Sequence, residues 1–333
     1  MIPPLSSRRP SLTGVLLATA GLALLAWQVW LVGLDPIADG FRAVGWQGFL
    51  AILLLSLFRF TARSLAWITL MTRPARSEQR EVPLRSAVAA TISGDALGNL
   101  SFLSLLVSEP AKAFYVTRHA PAAEAFAALT AENFFYSVSV AAVILGGTVT
   151  LLATFVLPDA FRFMVWVALG VMGGMLAMAI WLAHRRPALT VWAREALRGQ
   201  LTNLLDKLQN LETQTYSALS ASRARLGTVL ICEVAFHAAS VTEAWLTLTL
   251  LQGSASLFNA FLLDTVNRLI NVIFRAVPMR VGVDEVTTSG FAEMLGLGSA
   301  SGLTLALVRK ARMLFWAGVG LALLGRRAIG RIL

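Results

Sequence analysis

Long apolar runs, separated by short basic stretches, dominate the pattern of hydrophobic and polar positions along the chain. A helix that crosses a bilayer needs about 20 mostly apolar residues. The runs that meet this length are predicted spanning helices, at Leu12–Val32, Trp46–Met71, Ala123–Leu157, Phe161–Ala183, Leu226–Leu251 and Ser299–Leu324. Two further runs, Ser86–Val107 and Ser256–Val277, are as long but more polar. The pattern predicts an all-α polytopic membrane protein.

Composition supports a membrane protein with no sizeable soluble domain. Hydrophobic residues are 57% of the 333 and charged residues only 14%, whereas a soluble domain carries about 25% charged residues. The net charge of +10 does not indicate nucleic-acid binding, because the basic residues lie between apolar runs. A single cysteine, Cys232, excludes an internal disulfide, and we expect neither metal nor cofactor. Leu12–Val32 is too long for the apolar core of a signal peptide, so we expect it to be retained.

Basic residues between the runs predict the orientation, because cytoplasmic connections carry an excess of Lys and Arg. Those predicted on the cytoplasmic side are Arg8, Arg9, Arg73, Arg76, Arg80, Arg85, Arg185, Arg186, Arg326, Arg327 and Arg331. The segments predicted outside, nearly free of Lys and Arg, are Gly33–Gly45, Pro158–Ala160 and Gln252–Ala255. We therefore expect both termini in the cytoplasm.

This orientation requires two of the runs to enter the membrane and return on the same side. Ser86–Val107 is flanked by cytoplasmic segments, and Ser256–Val277 by outer ones. We predict two oppositely oriented re-entrant hairpins, which is typical of inverted-topology repeats in transporters. Residues 1–333 would form one membrane domain, with repeats at about 46–157 and 226–324 and a connection at about 158–225. Within the connection, Arg185–Arg225 is predicted to be an amphipathic cytoplasmic helix, or else a plain interfacial linker.

The first predicted hairpin contains polar residues at membrane depth. They are Asp95, Asn99, Ser108, Glu109 and Lys112. Asp95 and Asn99 are four apart and share a helix face. Ser108 followed by Pro110 predicts a helix start, whose free N–H groups would bind an anion. The alternative is that Glu109 only satisfies that helix end.

The second predicted hairpin is more polar. Its helix-spaced polar residues are Asp264, Asn267, Arg268, Asn271 and Arg275. A predicted break and restart of the chain follows, with Pro278, Arg280, Gly282, Asp284 and Glu285. We interpret the stripe as lining a wet interior. The alternative is a surface helix that faces outward.

The spanning runs also carry charged and polar residues, which usually face a cavity or a partner at membrane depth. They are Arg59, Arg63, Glu132, Asn133, Glu233, His237, Glu243, Arg309, Lys310 and Arg312. Structural pairing, for example of Arg309 with Glu132, would neutralise them without a functional role. For His237, a packed histidine is the expected role and a proton relay the alternative.

Three segments resemble the lysylphosphatidylglycerol synthase transmembrane family, including its variant encoded in hopanoid biosynthesis clusters. They are GNLSFLSLLVSEPAKAFYV (98–116), ENFFYSVSVA (132–141) and RVGVDEVTTSGFAEMLGLG with ALVRKARMLFW (280–298 and 306–316). The resemblance covers the chain from about Gly40 onward. It implies a flippase-like membrane half in the bacterial cytoplasmic membrane. Because the chain ends at Leu333, directly after its last predicted span, we expect no soluble aminoacyltransferase domain.

The resemblance also implies candidate residues for a lipid-headgroup cavity. By position in the matching segments, they are Asn99, Glu109, Lys112, Glu132, Asn133, Arg280, Asp284, Glu285, Arg309 and Lys310. Together with Asp95, Ser108, Asn267, Arg268, Asn271 and Arg275, they make up the predicted headgroup site.

Three functions compete at this point. The first is a lipid translocase, not an enzyme, whose substrate has an anionic or polyol head. The second is a membrane-embedded lipid-modifying transferase, whose carboxylates would act as acid and base. The third is a non-catalytic accessory protein that binds lipid-synthesis enzymes. No loop of the form G-x-x-x-x-G-K-[ST] is present, so we expect no ATP-driven transport by this chain alone.

Overall fold

A computed structural model describes Trp27, Trp30 and residues 34–71, 81–100, 104–155, 159–196, 202–274 and 280–329. All regular structure in these ranges is helical, which confirms the predicted all-α class. Apart from Trp27 and Trp30, the predicted span Leu12–Val32 lies outside the described residues, as does Arg275.

The first unit contains two long helices with two short ones between them. These are α1 (Leu34–Leu70), α2 (Leu84–Leu100), α3 (Ser104–Tyr115) and α4 (Ala122–Thr154). α1 is kinked at Gly45, which has φ 57° and ψ 178°, in the region of φ that favours glycine. Residues from Leu34 to Gly45, which belong to a segment predicted to lie outside the membrane, are helical.

The predicted helix start at Ser108 is wrong. α3 begins at Ser104, and both Ser108 and Pro110 lie inside it. An internal proline removes one backbone hydrogen bond, and the packing of α3 on α2 outweighs that local loss. Ser108 therefore exposes no free helix-end N–H groups, and the predicted anion site at a helix end does not exist there.

The connecting region contains α5 (Asp159–Arg185), α6 (Leu189–Ala196) and α7 (Thr202–Leu219). The single amphipathic helix predicted over Arg185–Arg225 is wrong, because two helices occupy it. They are joined by hydrogen bonds between Thr190 and Glu212 and by an ion pair between Arg194 and Asp206. α7 packs against α4, so much of its apolar face is covered by protein.

The second unit repeats the order of the first. It consists of α8 (Arg223–Gln252), α9 (Leu257–Ile273), α10 (Val283–Met294) and α11 (Ser299–Ile329). The Ser222 and Ser256 hydroxyls accept backbone N–H bonds at the starts of α8 and α9. The chain restarts as predicted, with α10 beginning at Val283. The hairpin predicted over Ser256–Val277 is consequently longer, since α10 forms its second arm and packs on α9.

Corresponding helices of the two units have corresponding neighbours. The first long helices, α1 and α8, pack against each other, while α4 packs on α9 and α11 packs on α2. A short sequence match supports this correspondence. Val107-Ser108-Glu109 lies in α3 and Val283-Asp284-Glu285 lies in α10, and these two helices are the second short helices of their units. Their relation as inverted repeats stays a prediction, as does the division of the domain.

Four described helices are long and apolar enough to cross a membrane: α1, α4, α5 between Val165 and Leu182, and α8. They match four of the six predicted spans. α11 has 31 residues but is not one of these helices, because Arg309, Lys310 and Arg312 interrupt its apolar sequence. Membrane crossing by α11 and re-entry by the two hairpins stay predictions.

Candidate functional site

A polar cavity of about 390 Å³ lies where helices of both units meet α5. Most of the predicted site residues are on its wall. These are Asp95, Asn99, Ser108, Glu109, Lys112, Asn133, Asn267, Arg268, Asn271, Arg280, Asp284, Arg309 and Lys310. Glu132 and Glu285 are buried beside the wall and contact residues that line it. The fold thus brings both predicted hairpins to one space, while binding of a headgroup there stays a prediction.

Lys112 joins the two arms of the first hairpin. Its Nζ lies 2.8 Å from an oxygen of Asp95 on α2 and 3.0 Å from an oxygen of Glu109 on α3. Gly94 makes this possible, because a Cβ at that position would collide with the Lys112 side chain and lie 2.9 Å from the Ser108 carbonyl oxygen. One ammonium is therefore shared by two carboxylates.

Lys310 on α11 makes the corresponding contacts in the second unit. Its Nζ lies 3.1 Å from Glu285, 3.5 Å from Asp284 and 3.4 Å from the carbonyl oxygen of Arg280. Glu285 also accepts a 2.8 Å hydrogen bond from the backbone N–H of Gly282, just before α10. In each unit, the glutamate of the Val-x-Glu sequence therefore forms an ion pair with a lysine.

Most arginines of the site are paired. Arg63 donates to both oxygens of Glu132, so the suggested pairing of Arg309 with Glu132 is wrong. Glu243 accepts from Arg59 at 3.0 Å and from Arg312 at 2.7 Å. Asp264 accepts from Arg268 and from Ser240, both at 2.7 Å. Asp264 and Arg268 are buried, which excludes the alternative that the stripe on α9 faces outward.

Arg309 differs from its neighbours. It is only 7% exposed, and its Nη1 and Nη2 have no hydrogen-bond partner among the described residues. Arg268 uses Nε for Asp264, and its Nη2 likewise has none in those ranges. The described wall carries eight basic side chains and four carboxylates. Its unsatisfied donors therefore suit an anion.

Aromatic rings from several helices, together with two arginines of α1, complete the wall of the cavity. The predicted site did not include these residues. The guanidinium of Arg63 lies 4.2 Å from the ring centroid of Tyr136, and that of Arg59 lies 4.6 Å from the Phe236 centroid. Trp316 packs edge-on against Phe60. In the sequence, the signal for this part of the wall was a pair of arginines four residues apart within an apolar run. The sequence did not show which way these arginines face.

Comparison with known proteins gives a family and nothing finer. The family profile described as the lysylphosphatidylglycerol synthase TM region matches residues 11–321. The match begins well before Gly40, where the resemblance in the sequence was expected to start. Searches of curated proteins and of solved structures found no match.

Proposed function

We propose, from the premise that this chain belongs to the lysylphosphatidylglycerol synthase transmembrane family, that it is a flippase-like transporter of a lipid with an anionic head. The membrane is the bacterial cytoplasmic membrane, with both termini in the cytoplasm. The single observation that carries the proposal is the buried guanidinium of Arg309, which faces a polar cavity with its terminal nitrogens unsatisfied within the described structure.

An unpaired cation inside a membrane protein is unstable unless something supplies the missing charge. The fold supplies carboxylates to Arg59, Arg63, Arg268 and Arg312. Asp264 is near enough to interact with Arg309 electrostatically, but no carboxylate within the described ranges accepts a hydrogen bond from its Nη1 or Nη2. A phosphate group suits this vacancy, because a planar guanidinium donates two parallel hydrogen bonds to it.

The cavity wall also suits an amphiphile. Val140, Met172, Met175 and Met313 add apolar surface beside the charged groups. α5, which carries two of these methionines, exposes Trp166 and other large apolar side chains. The headgroup would occupy the charged part of the cavity while its tails stay in the bilayer.

The transporter would act without chemistry on the lipid. Every described carboxylate on the cavity wall is in an ion pair with a lysine or arginine, so none has the partner-free state that suits a general acid or base. Lipid-synthesis enzymes are the proposed partners, because they would supply or consume the transported lipid.

Reconstituted vesicles test the proposal. Fluorescent phosphatidylglycerol, quenched from outside by dithionite, reports lipid that has crossed the bilayer, and a fluorescent neutral glycolipid reports headgroup selectivity. We expect Arg309→Met to lower phosphatidylglycerol movement by about tenfold or more, since a charge-assisted hydrogen bond contributes about 1.5 to 3 kcal/mol. Arg309→Lys should retain part of it.

Arg42→Met is the matched control, because Arg42 is exposed and far from the cavity lining. Unchanged movement by Arg309→Met, in protein that is correctly inserted, would overturn the proposal. The transferase alternative has its own assay, in which pure protein is incubated with labelled aminoacyl-tRNA or nucleotide-sugar. Formation of a new labelled lipid would show that the protein is a transferase and would overturn transport as its function.

A further inference from the structure

Behind the aromatic part of the cavity wall lies a chain of three polar side chains, two of them buried and one half-buried. The Oγ atom of Ser139 on α4 lies 2.8 Å from Oε2 of Glu233 and 2.9 Å from Nε2 of His237, both on α8. Glu233 and His237 are one helical turn apart, with 4.0 Å between the same two atoms. None of the three lines the cavity.

Glu233 stands apart from the other carboxylates at this depth. The described carboxylates on or beside the cavity wall each lie within 4.0 Å of a lysine or arginine nitrogen; they are Asp95, Glu109, Glu132, Glu243, Asp264, Asp284 and Glu285. Glu233 is only 3% exposed and, in the described structure, has no such cation. A buried carboxylate without a cation is the kind that takes up a proton.

The surroundings of Ser139 suit both charge states of Glu233. When Glu233 is ionised, the Ser139 hydroxyl donates to it and accepts from the His237 Nε2–H. When Glu233 is protonated, its hydroxyl donates to Ser139, whose own proton turns to the Tyr136 carbonyl oxygen 2.9 Å away. Proton uptake therefore leaves no member of the chain without a hydrogen bond and requires no backbone movement.

Charged and titratable groups on α1, α4, α8 and α9 act on this chain. They are Arg59 and Arg63 on α1, Glu132 on α4, Cys232 on α8, and Asp264 and Arg268 on α9. His237 contacts Tyr136 and Phe236 at centroid distances of 6.5 and 5.4 Å, and Arg63 and Arg59 lie over those two rings. A change of charge at Glu233 would therefore reach the cavity through one layer of aromatic rings.

We propose that Glu233, Ser139 and His237 form a proton-binding site that couples lipid movement to the proton gradient. Glu233 Oε2 accepts the proton, while the Ser139 hydroxyl turns from Glu233 to the Tyr136 carbonyl oxygen and the His237 Nε2–H keeps donating to Ser139. An added proton removes the negative charge behind Arg59 and Arg63, so their attraction for an anionic head in the cavity increases. The coupling rests on the proposed transport function, whereas proton binding itself does not.

Infrared difference spectroscopy tests proton binding without any lipid movement. Purified protein in lipid nanodiscs is compared between acid and alkaline buffer. We expect a protonated-carboxyl stretch that disappears in Glu233→Gln and shifts in frequency in Ser139→Ala, which keeps the carboxylate but loses its bridge. Glu243→Gln, ten residues along the same helix, is the control and should keep the band. A band that persists in Glu233→Gln, or no band in folded parent protein, would overturn the site.

Vesicles of phosphatidylethanolamine and phosphatidylglycerol with an imposed pH difference test coupling. The parent rate of fluorescent phosphatidylglycerol movement should change by up to about tenfold per pH unit, the limit for one titrating proton. Glu233→Gln should still move the lipid, with no response to the gradient. An equal response in Glu233→Gln would overturn coupling. A carboxyl band in protein that moves no lipid would support the proton site and overturn only the transport proposal.

Discussion

Glu132 on α4 accepts two hydrogen bonds from Arg63 on α1, from Nε at 2.8 Å and from Nη2 at 2.7 Å. Both residues are largely buried, and Asn133 accepts a third bond from the same guanidinium at 3.1 Å. This bidentate geometry is the strong form of an arginine–carboxylate pair. It ties the first and last long helices of the first unit together, and it gives Glu132 a partner other than Arg309.

Breaking this pair should destabilise the protein more than removing both partners. Glu132→Ala should lower the free energy of unfolding by about 3 to 5 kcal/mol, because Arg63 is then a buried charge without a partner. The double variant with Arg63→Ala should lose less. Unfolding in mixed detergent micelles measures both. The exposed pair Arg42–Asp39 is the control, and Asp39→Ala should change stability by less than about 1 kcal/mol.

Substitution by methionine should lower the melting temperature at Arg312 but not at Arg309. Arg312→Met removes a 2.7 Å ion pair with Glu243 and a 3.2 Å bond to Ser56, so the melting temperature in detergent should fall. Arg309→Met removes a buried charge whose terminal nitrogens have no hydrogen-bond partner in the described ranges, so the melting temperature should stay equal or rise. A fall of equal size in both variants would show that Arg309 has a structural partner.

Close packing between the units depends on a glycine of α11. A Cβ at Gly320 would lie 2.6 Å from both the Ala96 Cβ and the Ile92 carbonyl oxygen on α2, and a backbone oxygen cannot move aside easily. Gly320→Ala should therefore lower thermal stability. Gly318→Ala is the matched control on the same helix, since no neighbouring atom of the described residues lies within 4 Å of its Cβ position. It should be neutral or stabilising by up to about 1 kcal/mol.

Cysteine labelling tests the proposed orientation. In a Cys232→Ala background, Asn210→Cys on α7 should be labelled only after the cytoplasmic side is opened. Ser254→Cys, in the connection after α8, should be labelled in intact cells. Both positions are exposed, so neither result depends on unfolding. Labelling of Asn210→Cys from outside intact cells would show that the orientation is the opposite of the proposed one.

The sequence by itself determined the helical class, four of the long apolar helices and the family. These follow from local quantities, because runs of about 20 apolar residues, helical spacing and the restart near Gly282 are each contained in one segment. It also identified most residues of the cavity wall, because charged residues inside apolar runs are conspicuous.

Only the tertiary structure decided which charges pair and which do not. Glu132 lies 69 residues after Arg63, and Arg309 lies 177 residues after Glu132, so no local pattern could choose between them. The choice depends on which helix faces pack together. The same packing decided that α3 begins at Ser104 and not at the predicted Ser108. It also left Glu233 in contact with His237 at 4.0 Å and with no described lysine or arginine nitrogen within that distance. Both proposals depend on this packing, because the described helices place no carboxylate within 4.0 Å of the Arg309 guanidinium and no lysine or arginine nitrogen within 4.0 Å of the Glu233 carboxylate.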